Sequence, residues 1–241
     1  MKKISIGKNS IIGPSVRIGK NVKIGDYTKI LGNTVIGDNV VIGDWCKIGF
    51  TDTAKERRII KQNPYYKRFL ISDNKCIIKE KVVICDNAHV SGKVIIGERS
   101  FIGNNVFLRS NSRIGAGVVV GYNAYIGPFV KIGDSSTILN YSVIGSTSKL
   151  GKNVFIGPSV MLVENKYMLV RNYKKRKGPT IEDCVRIGSL STVISCKVGR
   201  FSIIGANSVV TKDLAQGCVY AGKVERKITN AEKKEYLDSL K

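Results

Sequence analysis

Residues 78–162 decide the fold, and in groups of six they read IKEKVV ICDNAH VSGKVI IGERSF IGNNVF LRSNSR IGAGVV VGYNAY IGPFVK IGDSST ILNYSV IGSTSK LGKNVF IGPSVM, ending at Leu162. The first residue of every group is Ile, Val or Leu, and the fifth is a small residue, Val, Ala or Ser. Gly commonly follows the first position. An unbroken period of this length is typical of a hexapeptide β-solenoid.

The chemistry of each position explains the period. Each group forms one short strand and one corner, with the aliphatic side chain inside and the small residue where the corner leaves little space. Gly, Asn and Asp accept the left-handed backbone conformation that such corners need. Three groups close one triangular coil, and successive coils stack about 4.8 Å apart. The sequence therefore predicts an all-β protein whose core is a stack of aliphatic layers.

The pattern written by residues 102–107, IGNNVF, resembles the left-handed parallel β-helix of hexapeptide-repeat acyltransferases. The resemblance covers nearly the whole chain, and the left-handed sense is what that family implies. The same six-residue step runs from Ile6 to Ile48 and resumes at Ile181. One continuous acyltransferase domain over residues 1–228 is therefore predicted.

Two segments break the repeat and are predicted to be excursion loops that leave a corner of the solenoid. The first, residues 50–76, is rich in Lys and Arg and contains Pro64, Tyr65 and Tyr66. It is either a basic, aromatic arm that reaches a nucleotide or a solvated insertion. The second, residues 163–180, is also basic. The tail, residues 229–241, is predicted to form a short C-terminal helix that covers or flanks the last coil.

The composition limits the classes of partner and location. The 241 residues carry a formal net charge of +22, which indicates an anionic partner. No nucleic-acid-binding motif is present, and an acyl donor together with a diphosphate-linked sugar would account for the charge. The six cysteines lack CxxC spacing and favour free thiols in the cytoplasm. No signal peptide and no membrane insertion are expected.

The C-terminal half carries a closer resemblance to sugar acyltransferases of the hexapeptide class, through NVFIGPSVML, GPTIEDCVRIGSLSTVI, GRFSIIGANSVVTKDL and VYAGKVERKI. The resemblance implies a homotrimer that binds acetyl-CoA as co-substrate in the cleft between neighbouring solenoids. Carried onto this sequence, it implies a coenzyme A groove and phosphate contacts made by Gly205, Ala206, Lys212, Lys223, Arg226 and Lys227. The chain departs from the family where Gly222 is followed by Lys223 and Val224 instead of Pro-Ala.

The acceptor is indicated by the start of the second excursion, which reads Val163-Glu164-Asn165-Lys166. Related enzymes that acetylate sugar hydroxyls have a His there as general base, and a hydroxyl needs a base more than an amine does. The loop residues Asn165, Lys166 and Tyr167 resemble those of acetyltransferases that act on nucleotide-linked amino sugars. We therefore expect these three residues to bind the substrate.

Three residues are candidates for catalysis, and each has a structural alternative. His89 faces outward in one ladder with Phe107 and Tyr125, and is either a base or a packed ring. Asn123 would orient the amine or the acyl carbonyl, or else belongs to a ladder of corner asparagines at one-coil spacing. Glu164 would accept a proton from the amine, or pair with nearby lysines.

Two further residues are candidates for substrate binding. Arg109 follows Leu108 where Gly is usual, so its guanidinium projects from a corner and either holds a phosphate or is solvated. Tyr122 precedes Asn123 in a corner where related sequences carry His-Asn or Gln-Asn.

The expected function is an acetyl-CoA-dependent N-acetyltransferase for the amine of a nucleotide-linked amino sugar in surface glycan synthesis. Sugar O-acetylation and a tetrahydrodipicolinate-type acyl transfer remain alternatives, and so does a non-catalytic solenoid that serves as a scaffold. No metal is expected, because the single His89 cannot provide the three His ligands of the carbonic anhydrases built on this solenoid.

Overall fold

The computed structural model describes residues 3–50, 75–165, 177–222, 224–227 and 238. The described chain winds into a solenoid of three parallel sheets with 12, 10 and 9 strands. This architecture confirms the predicted all-β solenoid and agrees with a left-handed parallel β-helix.

The strands are short, mostly two or three residues, as one side of a six-residue repeat requires. Before the first excursion they are β1 (Ile4–Ile6), β2 (Ile11–Ile12), β3 (Arg17–Ile18), β4 (Val22–Ile24), β5 (Lys29–Ile30), β6 (Thr34–Ile36), β7 (Val41–Ile42) and β8 (Lys47–Phe50). Between the excursions they are β9 (Cys76–Ile78), β10 (Val83–Ile84), β11 (His89–Ser91), β12 (Ile95–Ile96), β13 (Phe101–Ile102), β14 (Phe107–Leu108), β15 (Arg113–Ile114), β16 (Val119–Val120), β17 (Tyr125–Ile126), β18 (Lys131–Ile132), β19 (Thr137–Ile138), β20 (Val143–Ile144), β21 (Lys149–Leu150), β22 (Phe155–Ile156) and β23 (Met161–Val163). After the second excursion they are β24 (Thr180–Ile181), β25 (Arg186–Ile187), β26 (Thr192–Ile194), β27 (Lys197–Val198), β28 (Ile203–Ile204), β29 (Val209–Val210), β30 (Cys218–Ala221) and β31 (Val224–Lys227).

Every third strand joins the same sheet, so each sheet is one side of the triangular coil. Sheet A runs from β1 through β4 and β7 to β30 and β31, sheet B from β2 to β29, and sheet C from β3 to β27. We name the corners by the sheets that they connect, in chain order: A–B, B–C and C–A. Both excursions leave a B–C corner, since they follow β8 and β23 of sheet B and precede β9 and β24 of sheet C.

The interior is the predicted stack of aliphatic layers. In sheet B, Val90, Leu108 and Ile126 lie in register in successive coils, and each is fully buried. Burying one such side chain stabilises the fold by about 1.5–3 kcal/mol. Because each coil contacts only its neighbours, this stabilisation is distributed along the whole solenoid.

The corners explain the small residue at the fifth position. Ser100 is buried there, and its hydroxyl donates to the carbonyl oxygen of Gly115 (2.8 Å) while it accepts the N–H of Val118 (3.1 Å). A serine therefore connects two coils by hydrogen bonds at a place where a larger side chain would not fit. The residue just before this position has a positive φ in nearly every corner, and this set includes Asn87, Asn105 and Asn123.

The last coils depart from the regular repeat. The B–C corner after β26 is one residue short, and its Ser195 donates an N–H bond to the carbonyl of Val163 at the start of the second excursion (2.9 Å). β31 then pairs antiparallel with β30 and becomes the edge strand of sheet A. Of the predicted C-terminal helix only Asp238 is described, as helical. That helix and the domain boundary at 228 therefore stay predictions.

No helix within the described residues is long and apolar enough to cross a membrane.

Iodoacetamide at pH 8 should leave Cys46 and Cys76 unmodified in the folded protein. Both thiols are fully buried, and burial raises the pKa of Cys46 to about 11 and that of Cys76 to about 12. The reactive thiolate is therefore scarce and shielded. Peptide mass spectrometry before and after urea unfolding measures the labelling, with half-buried Cys184 as the internal comparison. Modification of Cys76 without unfolding would contradict this core.

Candidate functional site

A column of rings lies on the outer face of sheet B, between the two excursions. His89 is in register with Phe107, and Phe107 with Tyr125. The His89 ring meets the Phe107 ring edge-on with centroids 4.4 Å apart, and the Phe107 and Tyr125 centroids are 5.9 Å apart. Phe50, the last residue of β8, adds a ring 6.1 Å from His89. We call these four residues the aromatic column.

The repeat itself positions the column. The residue before each interior aliphatic position points outward, and the one-coil spacing places His89, Phe107 and Tyr125 above one another, as predicted. His89 is half-buried, and its Nε2 atom is shielded from solvent. The imidazole is thus held in one place by packing, and because Nε2 is shielded, a general base or a substrate contact there would have to use Nδ1.

Arg109 lies at the edge of this column, in the B–C corner. Its Nη1 donates to the Tyr125 hydroxyl (2.9 Å), and its guanidinium carbon lies 5.6 Å from the centre of the Phe107 ring. These contacts fix a cation beside Phe107 and Tyr125, and a planar guanidinium there suits a phosphate or carboxylate. Arg109 is therefore packed against the column rather than solvated. Tyr125 was not among the predicted site residues, although its spacing of one coil from Phe107 indicated that it lies in the same outward ladder.

The strands that precede the two excursions lie at different heights of sheet B, on either side of Phe107 and Tyr125. β8 and β23 are five coils apart in sheet B, which is about 24 Å at the spacing of stacked strands. The segments between residues 51 and 74 and between 166 and 176 lie outside the described residues, and they include the predicted substrate contacts Lys166 and Tyr167. By sequence these segments are rich in Lys and Arg. Positive charge is therefore concentrated in the two sequence segments that follow β8 and β23.

Glu164 and Asn165 lie at the base of the second excursion, in the B–C corner above Gly145. A Cβ on Gly145 would lie 2.5 Å from the Glu164 carboxylate, so the glycine leaves the space that this side chain occupies. Glu164 is four coils from His89, about 19 Å along the solenoid. Asn165 is half-buried beside it.

Asn123 and Tyr122 lie in an A–B corner, across sheet B from Glu164. Asn123 has φ +57°, and its N–H donates to the carbonyl oxygen of Asn104 (2.9 Å), as expected for the predicted corner ladder. Tyr122 is 46% exposed. Within one chain, His89, Asn123 and Glu164 therefore do not form a single cluster, and their catalytic roles stay predictions.

The predicted coenzyme A contacts are distributed over the last coils. Gly205 and Ala206 lie in an A–B corner, and the Gly205 N–H donates to the carbonyl of Tyr220 (2.7 Å). Within the described residues the exposed Ala206 N–H makes no such bond, so it is the amide that a ligand could use. Lys212 is exposed at the other end of sheet B, just after β29.

The other predicted phosphate contacts are less completely described. Lys223 lies outside the described residues, and Arg226 and Lys227 are described only by their backbone in β31. Within the described chain, no group of three His, Cys, Asp or Glu residues is arranged to hold a metal ion.

Comparison with solved structures gives matches at low identity. A UDP-N-acetylglucosamine acyltransferase from Francisella novicida is 18% identical with a TM-score of 0.55, over 97% of this chain and 73% of that one. The corresponding enzyme from Campylobacter jejuni is 15% identical with a TM-score of 0.47, over 100% and 78% of the two chains. A perosamine N-acetyltransferase mutant from Caulobacter crescentus, in complex with CoA and GDP-perosamine, is 17% identical with a TM-score of 0.38, over 80% and 83%. At these identities the likeness concerns the fold alone.

Sequence comparison identifies the family. No curated protein sequence matches. The family described as bacterial transferase hexapeptide (six repeats) matches residues 15–50, 75–110 and 111–146, and the hexapeptide repeat of succinyl-transferase matches residues 180–212. Together these segments cover more than half of the 241 residues. The chain therefore belongs to the hexapeptide-repeat family of bacterial acyltransferases.

Proposed function

We propose that this protein transfers an acetyl group from acetyl-CoA to the amine of a nucleotide-linked amino sugar. The observation that carries the proposal is the aromatic column on the outer face of sheet B, which holds His89 against Phe107 and Arg109 against the Tyr125 hydroxyl. A base and a phosphate-binding cation in one column suit an acceptor that carries both a nucleophile and a diphosphate. Family membership leaves the scaffold alternative without support.

The proposed reaction is a direct acyl transfer. The amine nitrogen of the sugar attacks the thioester carbonyl carbon, the carbonyl oxygen becomes an oxyanion, and the C–S bond then breaks to release coenzyme A. His89 accepts the proton that the nitrogen loses, and the departing thiolate is protonated. Arg109 holds a substrate phosphate, and the Ala206 N–H binds the amide-bearing arm of the donor. Asn165, Lys166 and Tyr167 are the proposed contacts to the acceptor.

We also propose that the protein is a homotrimer whose neighbouring chain faces the A–B corners. These corners expose large apolar side chains: Tyr27 (42%), Trp45 (55%), Tyr122 (46%), Tyr141 (62%) and Leu190 (63%). Monomers seldom expose so many in one line. A neighbour at this edge would also bring a second chain toward Asn123 and Ala206. Sedimentation equilibrium should give three times the mass of one chain, and a monomer mass would contradict the trimer.

The activity test follows the release of the coenzyme A thiol with a panel of UDP-, dTDP- and GDP-linked amino sugars. The expected result is thiol release with one member of the panel, together with a product heavier by one acetyl group. The matched control is the same nucleotide sugar with a hydroxyl in place of the amine. Donor binding without thiol release for any amino sugar would overturn the proposal.

Sugar O-acetylation is the second candidate, because His89 is held where a base for a hydroxyl could act. The hydroxyl control decides between the two, since an O-acetyltransferase would use that control and leave the amine alone. In either case we propose a cytoplasmic enzyme of surface glycan synthesis, where both substrates are made.

A further inference from the structure

The outer face of sheet C carries an uninterrupted run of positive charge. Arg113, Lys131 and Lys149 are in register in three successive coils, and all three are exposed. Like charges directly opposite one another on neighbouring strands repel. None of the three forms an ion pair with any residue in the part of the chain that the structure describes. The chain thus accepts a local repulsion that an anionic ligand would remove.

A cavity lies over the upper part of this run. It has a volume of about 520 Å³, and its lining includes Lys131, Lys149, Thr180 and Arg200. Thr180 follows Lys149 in register, so a small side chain with a hydroxyl takes the place of a fourth long cation. The volume is within the range of small-molecule sites, about 300–1,000 Å³. The cavity is separate from the aromatic column, which lies on sheet B.

The acidic residues in the cavity are already neutralised. Glu182 pairs with Lys197 (2.7 Å) and also accepts the backbone N–H of Arg200 (3.0 Å). Asp183 pairs with the Arg200 guanidinium (3.1 Å) and accepts the N–H of Lys152 (2.9 Å). The two carboxylates therefore orient Arg200 and leave the ammonium groups of Lys131 and Lys149 for a ligand.

The length of the run indicates the size of the ligand. From Arg113 to Lys149 it spans two coil spacings, about 10 Å. Below it the outward residue is the apolar Ile95, and above it Lys197 is engaged by Glu182. A long polyanion would need the charge to continue along the sheet. A phosphate or diphosphate group fits the observed length and charge.

We propose that this face of sheet C is a binding site for a phosphate or diphosphate group, held by Lys131 and Lys149 with Thr180 and Arg200. Arg113 adds to the attractive field at the lower end. The site does not depend on the acyl transfer proposed above, because none of its residues belongs to the aromatic column or to the predicted acceptor contacts.

Isothermal titration calorimetry of the full chain with inorganic pyrophosphate at about 0.15 M salt, where the Debye length is about 8 Å, tests the proposal. The double variant Lys131→Gln/Lys149→Gln should weaken pyrophosphate binding by about tenfold or more, since it removes two charge-assisted contacts. The matched control is Lys20→Gln/Lys23→Gln, which removes the same charge from exposed lysines near the N-terminus. Its affinity should stay within about twofold of the original protein, because distant exposed charges are screened.

Two outcomes overturn the site: no pyrophosphate binding by the original protein, or an equal loss in both double variants, which would indicate net charge alone. Competition identifies the natural source of the phosphate. Displacement of pyrophosphate by uridine diphosphate indicates a nucleotide, and displacement by coenzyme A indicates the donor. Displacement by neither, with the difference between the variants intact, supports a site for the inorganic anion.

Discussion

Replacing His89 by Gln should lower kcat/KM for acetyl transfer by about 10²–10⁴-fold, the usual contribution of a general base. Gln keeps a polar side chain of similar length and can still pack against the Phe107 ring, which lies 4.4 Å from the imidazole. It cannot take up a proton. The low-pH limb of the kcat/KM profile, which reports protonation of an essential base, should therefore disappear in the variant. Steady-state kinetics across a pH series measures both effects.

The control separates a base from a packed ring. Phe107→Leu loosens the packing beside His89 but leaves the imidazole in place. If His89 acts as a base, this variant loses less activity and keeps the low-pH limb. If His89 only packs, the two variants should lose activity alike, neither should change the pH profile, and the catalytic assignment would be wrong. A loss of kcat/KM near the lower end of this range in the His89 variant would also favour an amine acceptor, because an amine needs a general base less than a hydroxyl does.

The fold could be predicted because its period lies within a single stretch of sequence. Every interior position from Ile78 to Leu162 is fixed by one rule, and the same rule predicts the register of Ile84 with Ile102 one coil later. Asn123 shows that even the backbone conformation of a corner follows from residue type and spacing. β31 turns back antiparallel to β30 and is not part of the six-residue repeat, so the repeat could not predict it.

The site was less accessible to sequence reasoning, because its parts are related by height along the solenoid and by side-chain direction. Spacing placed His89 below Tyr125, but the reach of Arg109 back to the Tyr125 hydroxyl depends on rotamers. One-coil spacing in the sequence places Arg113, Lys131 and Lys149 on one face. Whether they are available to a ligand depends on which carboxylates are already paired with other cations, and only the structure shows that. Two candidates close in role, such as Asn123 and Glu164, lie at opposite corners of one sheet.

Replacing Gly49 by Ala should lower the free energy of unfolding by about 2–5 kcal/mol, the sum of a left-handed backbone penalty and overpacking. Gly49 has φ +81° and lies in β8, just before the first excursion. A Cβ there would overlap the carbonyl oxygen of Leu31 and lie 2.5 Å from Oγ1 of Thr34. These two atoms form a buried hydrogen bond of 2.6 Å, so neither can move away without losing it. Urea unfolding followed by circular dichroism measures the change.

Gly217→Ala provides the matched control, because Gly217 also has a positive φ (+64°) but a new Cβ would have no atom within 4 Å. Gly217→Ala should lower the free energy of unfolding only by the backbone penalty, about 1–2 kcal/mol. Because coils contact only their neighbours, the damage from Gly49→Ala should also stay local. Hydrogen exchange should therefore accelerate in β5 to β11, the strands of the altered coil and its neighbours, while β14 to β22 keep their protection. Equal destabilisation by the two substitutions would show that the Leu31–Thr34 contact does not constrain the departure of the first excursion.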